Sequence, residues 1–161
     1  MNQQSMQTLT QYHHWANNRL WSKVRHLTTE QLTESCWLSR GNIFKTLLHM
    51  VDTQWSWRLA CQEGQLPPEL KSEDFPNIHA LIQYWEEDDA SLLAYAGTLD
   101  ERQLTGTVTY SWPRAQPRTK ILWYILMHIV NHGTHHRSEV GQYLETIGHS
   151  PGDLDFIKFV S

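Results

Sequence analysis

The chain has 161 residues, of which 40% are hydrophobic and 19% charged, with a formal net charge of −4 at pH 7. This length predicts a single domain over residues 1–161, and the scattered Lys and Arg leave no basic surplus for binding nucleic acid. The longest apolar run, residues 121–130, is too short to span a membrane.

The N-terminal segment has polar Gln, Asn, Thr and His where a secretory signal peptide requires an uninterrupted apolar stretch. The two cysteines, Cys36 and Cys61, form no Cys-x-x-Cys motif and are too few for a disulfide framework. We therefore expect a cytoplasmic protein whose thiols are reduced and structural.

The first half of the chain predicts two long helices and a short one. Apolar residues recur every three to five positions over 6–27, as is typical of a helix with one buried face. The Thr-x-x-Gln pattern of 28–31 is a capping box and predicts a short helix at 29–34. A second long helix is predicted over 43–63, followed by a proline-containing surface connection at 65–77.

The third long helix is predicted over 78–96, on regularly spaced leucine, isoleucine and tryptophan residues. Its acidic run, Glu86-Glu87-Asp88-Asp89, is interpreted as a solvated face because consecutive residues fan around a helix. Residues 107–112 alternate between polar and apolar, which predicts a short strand or half of a hairpin.

The last long helix is predicted from Thr119 to Ile147, where Gly148 and Pro151 end it. The apolar tail, 154–160, is expected to pack back onto the helices. The sequence therefore predicts an all-α fold, a four-helix bundle with a short strand or hairpin before the last long helix. The core of such a bundle is where metal sites are usually built.

The last helix carries four histidines in an otherwise apolar segment: His128, His132, His135 and His136. At 100° per residue, His128, His132 and His136 fall within about 80° of one another, whereas His135 points elsewhere. A lone buried histidine is usually a hydrogen-bonded core residue. The pair His132 and His136 instead favours a metal site, because an ion relieves both their desolvation and their mutual repulsion.

A metal site generally needs at least three protein ligands, with a further position left open if it is catalytic. The second long helix offers His49, which lies in the apolar stripe of Leu48 and Val51. Spacing alone leaves two interpretations of His49 equally open, a ligand or a hydrogen-bonded core residue.

Four segments follow the pattern of a known family in the expected order. They are residues 12–20, close to Tyr-Asn-x-Trp-Ala-Asn-x-x-Leu; 46–49, Thr-Leu-Leu-His; 128–137, which contains His-Gly-Thr-His-His-Arg; and 144–151 with Asp155. On these segments, which span nearly the whole chain, the sequence resembles the DinB/YfiT-like metalloenzymes. The resemblance implies an up-down-down-up four-helix bundle, usually dimeric, with one divalent ion on the three histidines His49, His132 and His136.

Imidazole ligands without a thiolate favour zinc or nickel. Eight Trp residues exceed what one small core needs, and because Trp is favoured at interfaces, this also predicts a homodimer.

Two departures from the family pattern supply candidate catalytic residues. His13 replaces the usual Asn, and Glu139 follows His136 at a position where Gln is common. We expect His13 to be a partly exposed helix residue. If it faced the metal instead, it could be a further ligand or a base. Glu139 and Asp52 each lie three residues after a predicted ligand. Both are expected to support that ligand or face solvent, and either could orient an imidazole or accept a proton.

A three-histidine site with an open position can lower the pKa of bound water towards ~7 or hold a thiolate for attack. The resemblance implies relatives that activate a low-molecular-weight thiol. The prediction is therefore a metal-dependent enzyme acting on a small electrophile, as a thiol-dependent transferase or isomerase or as a hydrolase. One alternative is a non-catalytic stress-response module whose metal, on four protein ligands, only stabilises the bundle. Another is that no metal binds and the histidines are polar core residues.

Overall fold

The structure, a computed structural model, describes residues 1–161. The chain is mostly helical, with seven α-helices and one two-stranded antiparallel sheet. The four long helices are α1 (Gln3–Val24), α3 (Ile43–Glu63), α4 (Ile78–Thr98) and α6 (Leu122–Thr146). The short elements are α2 (Thr29–Thr33), a 3₁₀ turn (Ser72–Asp74), α5 (Glu101–Thr105), β1 (Thr107–Tyr110), β2 (Arg118–Ile121) and α7 (Phe156–Phe159).

Each long helix packs against two others: α1 contacts α4 and α6, and α3 contacts the same two helices. This arrangement is compatible with the predicted four-helix bundle. Trp21 of α1 and Trp85 of α4 lie in the core, fully buried and edge to face with ring centroids 5.4 Å apart. None of the helices combines the length and the hydrophobicity that a membrane crossing requires.

Local signals in the sequence account for most helix ends. The predicted capping box is confirmed: Thr28 accepts from the backbone N–H of Gln31, and the Gln31 side chain accepts from the backbone N–H of Thr28. Asn42 caps α3 by accepting from Lys45 N–H at 2.8 Å. Helix α6 ends before Gly148, which has φ 80°, as predicted for a left-handed terminating residue.

The first long helix lies three residues nearer the N-terminus than predicted, and the last long helix is shorter than predicted. Helix α1 ends at Val24. Leu27 lies in the turn before α2 and is buried there, so the apolar pattern continues beyond the end of the helix. Thr119 was predicted to begin the last helix, but it lies in β2, where its hydroxyl is 2.8 Å from that of Thr109 in β1. Residues 107–110 therefore form half of a hairpin, and α6 begins at Leu122.

The interpretation of the acidic run as a solvated face was wrong for two of its four residues. Glu86 and Glu87 are exposed, but Asp88 and Asp89 are buried, at 4% and 1% exposure. Asp88 accepts from Arg58 Nε at 2.8 Å, and Asp89 pairs with His14 Nδ1 at 2.6 Å. These partners on other helices offset the desolvation of both carboxylates.

The C-terminal tail packs back as predicted. Its short helix α7 lies against α1, where Phe156 meets Tyr12 edge to face at 5.3 Å between ring centroids and Phe159 lies 5.8 Å from Trp15.

Candidate metal centre

The structure brings together the three histidines that the sequence predicts as ligands. One nitrogen from each of His49, His132 and His136 lies within 4.8 Å of the others. Nε2 of His49 is 3.0 Å from Nε2 of His132. The ring centroid of His136 is 5.0 Å from that of His49 and 4.6 Å from that of His132.

The packing of α3 against α6 aims these rings at one another. His132 and His136 are one helical turn apart on α6 and so share a face. On α3, the buried neighbours Leu47, Met50 and Val51 fix which side of the helix enters the core, and His49 lies at its margin, partly exposed. The site is thus anchored in the core and accessible from outside.

Two of the three rings present an unprotonated nitrogen to the cluster. A guanidinium only donates, so His49 Nε2 accepts from Arg40 Nη2 at 2.8 Å. The carboxylate of Glu139 accepts from His136 Nδ1 at 3.0 Å, which leaves Nε2 of His136 with its lone pair.

The donor set fits a divalent ion. Metal–nitrogen bonds of about 2.0–2.1 Å at a tetrahedral angle separate two ligand nitrogens by about 3.3 Å. The 3.0 Å between His49 Nε2 and His132 Nε2 is close to that separation. Three imidazoles without a thiolate are a donor set that zinc and nickel both accept.

The environment keeps all three imidazoles neutral, which is the form that binds a metal. Burial, then Arg40 and His136, lowers the pKa of His49 to about 4. Burial and the neighbouring imidazoles lower the pKa of His132 to about 3. Burial lowers the pKa of His136 as well, although its hydrogen bond to Glu139 acts in the opposite direction.

Glu139 supports the cluster by binding the Nδ1 side of the His136 ring. Besides His136, its carboxylate accepts hydrogen bonds from Ser39, through the backbone N–H and, at 2.9 Å, through the hydroxyl. Burial alone would raise the pKa of Glu139, but these hydrogen bonds lower it below its usual value. Of the roles considered for Glu139, this geometry matches the orientation of a ligand imidazole.

A second group that could hold an ion overlaps the first. It consists of His135, His136 and Glu139, again with ligand atoms within 4.8 Å of one another. His135 is exposed, and the hydrogen bond between His136 and Glu139 already uses one ligand atom of each. The three-histidine cluster is therefore the better candidate for a metal site.

The expectation of a partly exposed His13 was wrong. His13 is 2% exposed, its Nε2 lies 2.7 Å from Gln54 Oε1, and its Nδ1 accepts from Arg137 Nη1 at 3.0 Å. Burial and the charge of Arg137 lower the pKa of His13 to about 4. It lies outside the histidine cluster but packs beneath Gly133, where a Cβ would collide with both His13 and Arg137.

Two further residues were singled out from the sequence, Asp52 on α3 and His128 on α6. Asp52 accepts from Leu70 N–H at 2.8 Å and so holds the connection between α3 and α4. His128 is exposed, with its ring centroid 5.5 Å from that of Trp57 and 5.7 Å from that of His132.

Arg40 was not predicted from the sequence as part of the site. It lies in the irregular loop before α3, and only the fold brings that loop to the cluster. The neighbouring histidines and Glu139 could be placed by helical spacing, whereas a loop residue has no such periodicity.

Comparison with known protein families shows which family the chain matches. The model of the family described as the DinB family matches residues 1–161, the whole of the chain. No curated protein matches the sequence.

Proposed function

We propose that this chain, which belongs to the DinB family, is a metal-dependent enzyme that holds one zinc or nickel ion on His49, His132 and His136. Its reaction would be the attack of a small thiol or of water on a small-molecule electrophile, in a thiol-dependent transferase or isomerase or in a hydrolase. The observation that carries this proposal is the convergence of three neutral imidazoles from two helices. The carboxylate of Glu139, which orients one of them, adds to it.

An ion held in this way supplies Lewis-acid chemistry, because it lets a coordinated thiol or water lose its proton near neutral pH. The contribution of the protein is orientation. Glu139 fixes the tautomer and direction of His136, and both of its carboxylate oxygens are engaged in hydrogen bonds. This favours a positioning role for Glu139 over proton transfer. His13 is enclosed in the core, so we assign it to the support of α6 rather than to the base.

The surroundings of the cluster favour an open site over a closed structural one. A structural zinc site normally has four protein ligands. Three side chains able to bind metal converge here, and the side chain that reaches His49 from the loop is Arg40, which cannot act as a ligand. Three ligands without a fourth favour a catalytic site over the stress-response module, in which the ion would only stabilise the fold.

Cobalt substitution tests the choice between these functions. The cobalt protein should change its visible absorption spectrum when a small thiol is added, and the thiol should then react with a panel of electrophiles faster than it does in solution. His26→Ala, on an exposed histidine beyond α1, should behave like the wild type. Four protein ligands on cobalt and a spectrum unchanged by thiols or anions would instead favour the structural module.

We further propose that the four long helices form an up-down-down-up bundle and that the protein is a homodimer in the cytoplasm. The mutual packing of α1, α3, α4 and α6 supports the bundle. Exposed aromatic residues, among them Trp37 and Tyr124, support an interface, and the free thiols of Cys36 and Cys61 suit a reducing compartment.

A further inference from the structure

Arg40 places a positive charge next to the histidine cluster. Its guanidinium lies 2.8 Å from Nε2 of His49, and no carboxylate lies within 4.0 Å of it. Arginine guanidinium groups near a protein surface commonly pair with a carboxylate or a phosphate. Here the only partner is the nitrogen of a candidate metal ligand.

The loop that carries Arg40 is held firmly in place. Ser39, the residue before it, donates two hydrogen bonds to Glu139 on α6. Leu38 is buried at 3% exposure, and its carbonyl accepts from Gly41 N–H at 2.7 Å. Gly41 has φ 86°, a backbone conformation that favours glycine. The position of Arg40 beside the cluster is therefore built into the fold.

The hydrogen bond from Arg40 and the binding of a metal exclude each other. The Nε2 atom of an imidazole has one lone pair, which can either accept from Arg40 or bind an ion. Loading the cluster with a divalent ion therefore frees the guanidinium and leaves it beside a second positive charge. An anion that pairs with the guanidinium removes this repulsion and restores its hydrogen bonds.

We propose that Arg40 is the anion-binding residue of this site, that it takes a carboxylate of the substrate or cosubstrate, and that metal and carboxylate bind cooperatively through it. This inference rests on the proposed metal site at His49, His132 and His136. A carboxylate matches the guanidinium because both groups are planar and can form two parallel hydrogen bonds. The coupling is reciprocal, so each ligand raises the affinity for the other by the same factor.

The experiment measures the zinc dissociation constant of the full chain by competition with a chromophoric chelator, with and without acetate. In the wild type, acetate should tighten zinc binding about tenfold, a typical coupling between two sites. In Arg40→Gln, zinc should bind at least as tightly as in the wild type without acetate, and acetate should have no effect. Arg40→Lys should retain part of the coupling, because it keeps the charge but not the planar geometry.

A matched control and a second probe complete the design. Lys45→Gln removes one exposed positive charge at the start of α3 and should leave the acetate effect unchanged. Mercaptoacetate compared with 2-mercaptoethanol, on the cobalt protein, shows the source of the carboxylate. If the cobalt protein prefers mercaptoacetate and this preference requires Arg40, the carboxylate belongs to the thiol. If the two thiols bind equally well, the carboxylate belongs to the electrophile.

The outcomes separate this inference from the metal site itself. An acetate effect of equal size in the wild type and in Arg40→Gln would overturn the role of Arg40, as would weaker zinc binding by Arg40→Gln without acetate. Either result would leave the proposed metal site standing. A wild type that binds no zinc would overturn both.

Discussion

Glu139 accepts hydrogen bonds from both the backbone N–H and the hydroxyl of Ser39, one hundred residues away in the chain. The same carboxylate accepts from Nδ1 of His136. One side chain therefore fixes the direction of a candidate ligand and the position of the loop that carries Arg40. The candidate metal centre and the loop of Arg40 are thus linked through this carboxylate.

Replacement of Glu139 by Gln should weaken metal binding without unfolding the protein. The amide keeps the size of the side chain but loses the charge that supports His136, and removal of such a partner typically lowers metal affinity about 10–100-fold. Competition with a chelator measures the loss. Glu145→Gln, an exposed position on the same helix, should bind metal like the wild type. Unchanged affinity in Glu139→Gln would show that Glu139 does not support the site.

Gly133→Ala should destabilise the protein, because the new Cβ would collide with His13 and Arg137 beneath α6. Overpacking of this kind costs about 1–3 kcal/mol in the free energy of unfolding, which urea denaturation measures. Gly97→Ala is the control: Gly97 lies in α4 with nothing within 4 Å of a Cβ, so its replacement should stabilise by about 0.5–1 kcal/mol. The close contact of Gly133 with His13 and Arg137 would be contradicted if Gly133→Ala lowered the free energy of unfolding by no more than the size of the change in Gly97→Ala.

The buried His13 should make the protein less stable as the pH falls. The pKa of His13 is about 4 in the folded protein and has an ordinary value of 6.5 when unfolded, so only the unfolded chain binds the proton between these values. Above pH 6.5 both states are neutral and the effect vanishes. On acidification to pH 4, this one group should lower the free energy of unfolding by on the order of 3 kcal/mol.

His13→Gln isolates that contribution in metal-free protein. Between pH 6.5 and 4 the dependence of unfolding free energy on pH should become shallower by on the order of 1 kcal/mol per pH unit. His26→Gln, on an exposed histidine, should keep the slope of the wild type. Parallel slopes for His13→Gln and the wild type would mean that His13 is not held neutral by the fold.

Light scattering tests the proposed homodimer. Trp37 is 59% exposed and Tyr124 49% exposed, an amount of apolar surface that association would cover. At micromolar concentration the measured mass should be twice that of the 18.9 kDa chain. A monomeric mass would rule the dimer out.

Regular spacing made much of the helical architecture and the pair of His132 and His136 predictable, whereas spacing left the role of His49 open and the family resemblance implied it as the third ligand. His132 and His136 are one turn apart, and the apolar stripe beside His49 indicates which face of α3 meets its neighbours. The short helix α5 was missed, although Asp100 and Gln103 form the same kind of capping box as Thr28 and Gln31. That element could have been found from the sequence.

The buried polar residues could not be placed from the sequence. His13 and Asp88 look like surface residues on their own helices, and only Gln54 and Arg58 of α3, together with Arg137 of α6, provide their partners. Periodicity describes one helix at a time and says nothing about polar contacts between helices. Arg40 was missed for a related reason. Its position depends on a loop that is held by hydrogen bonds from Ser39 to Glu139 on α6.

Metal content is the most direct measure of the central claim. Protein purified without a polyhistidine tag should contain about one zinc or nickel ion per chain by elemental analysis. His49→Ala and His132→Ala should each lose nearly all of it, since each removes one of three converging ligands, while His26→Ala should keep it. Full retention of one ion per chain in both His49→Ala and His132→Ala would contradict the three-histidine metal centre.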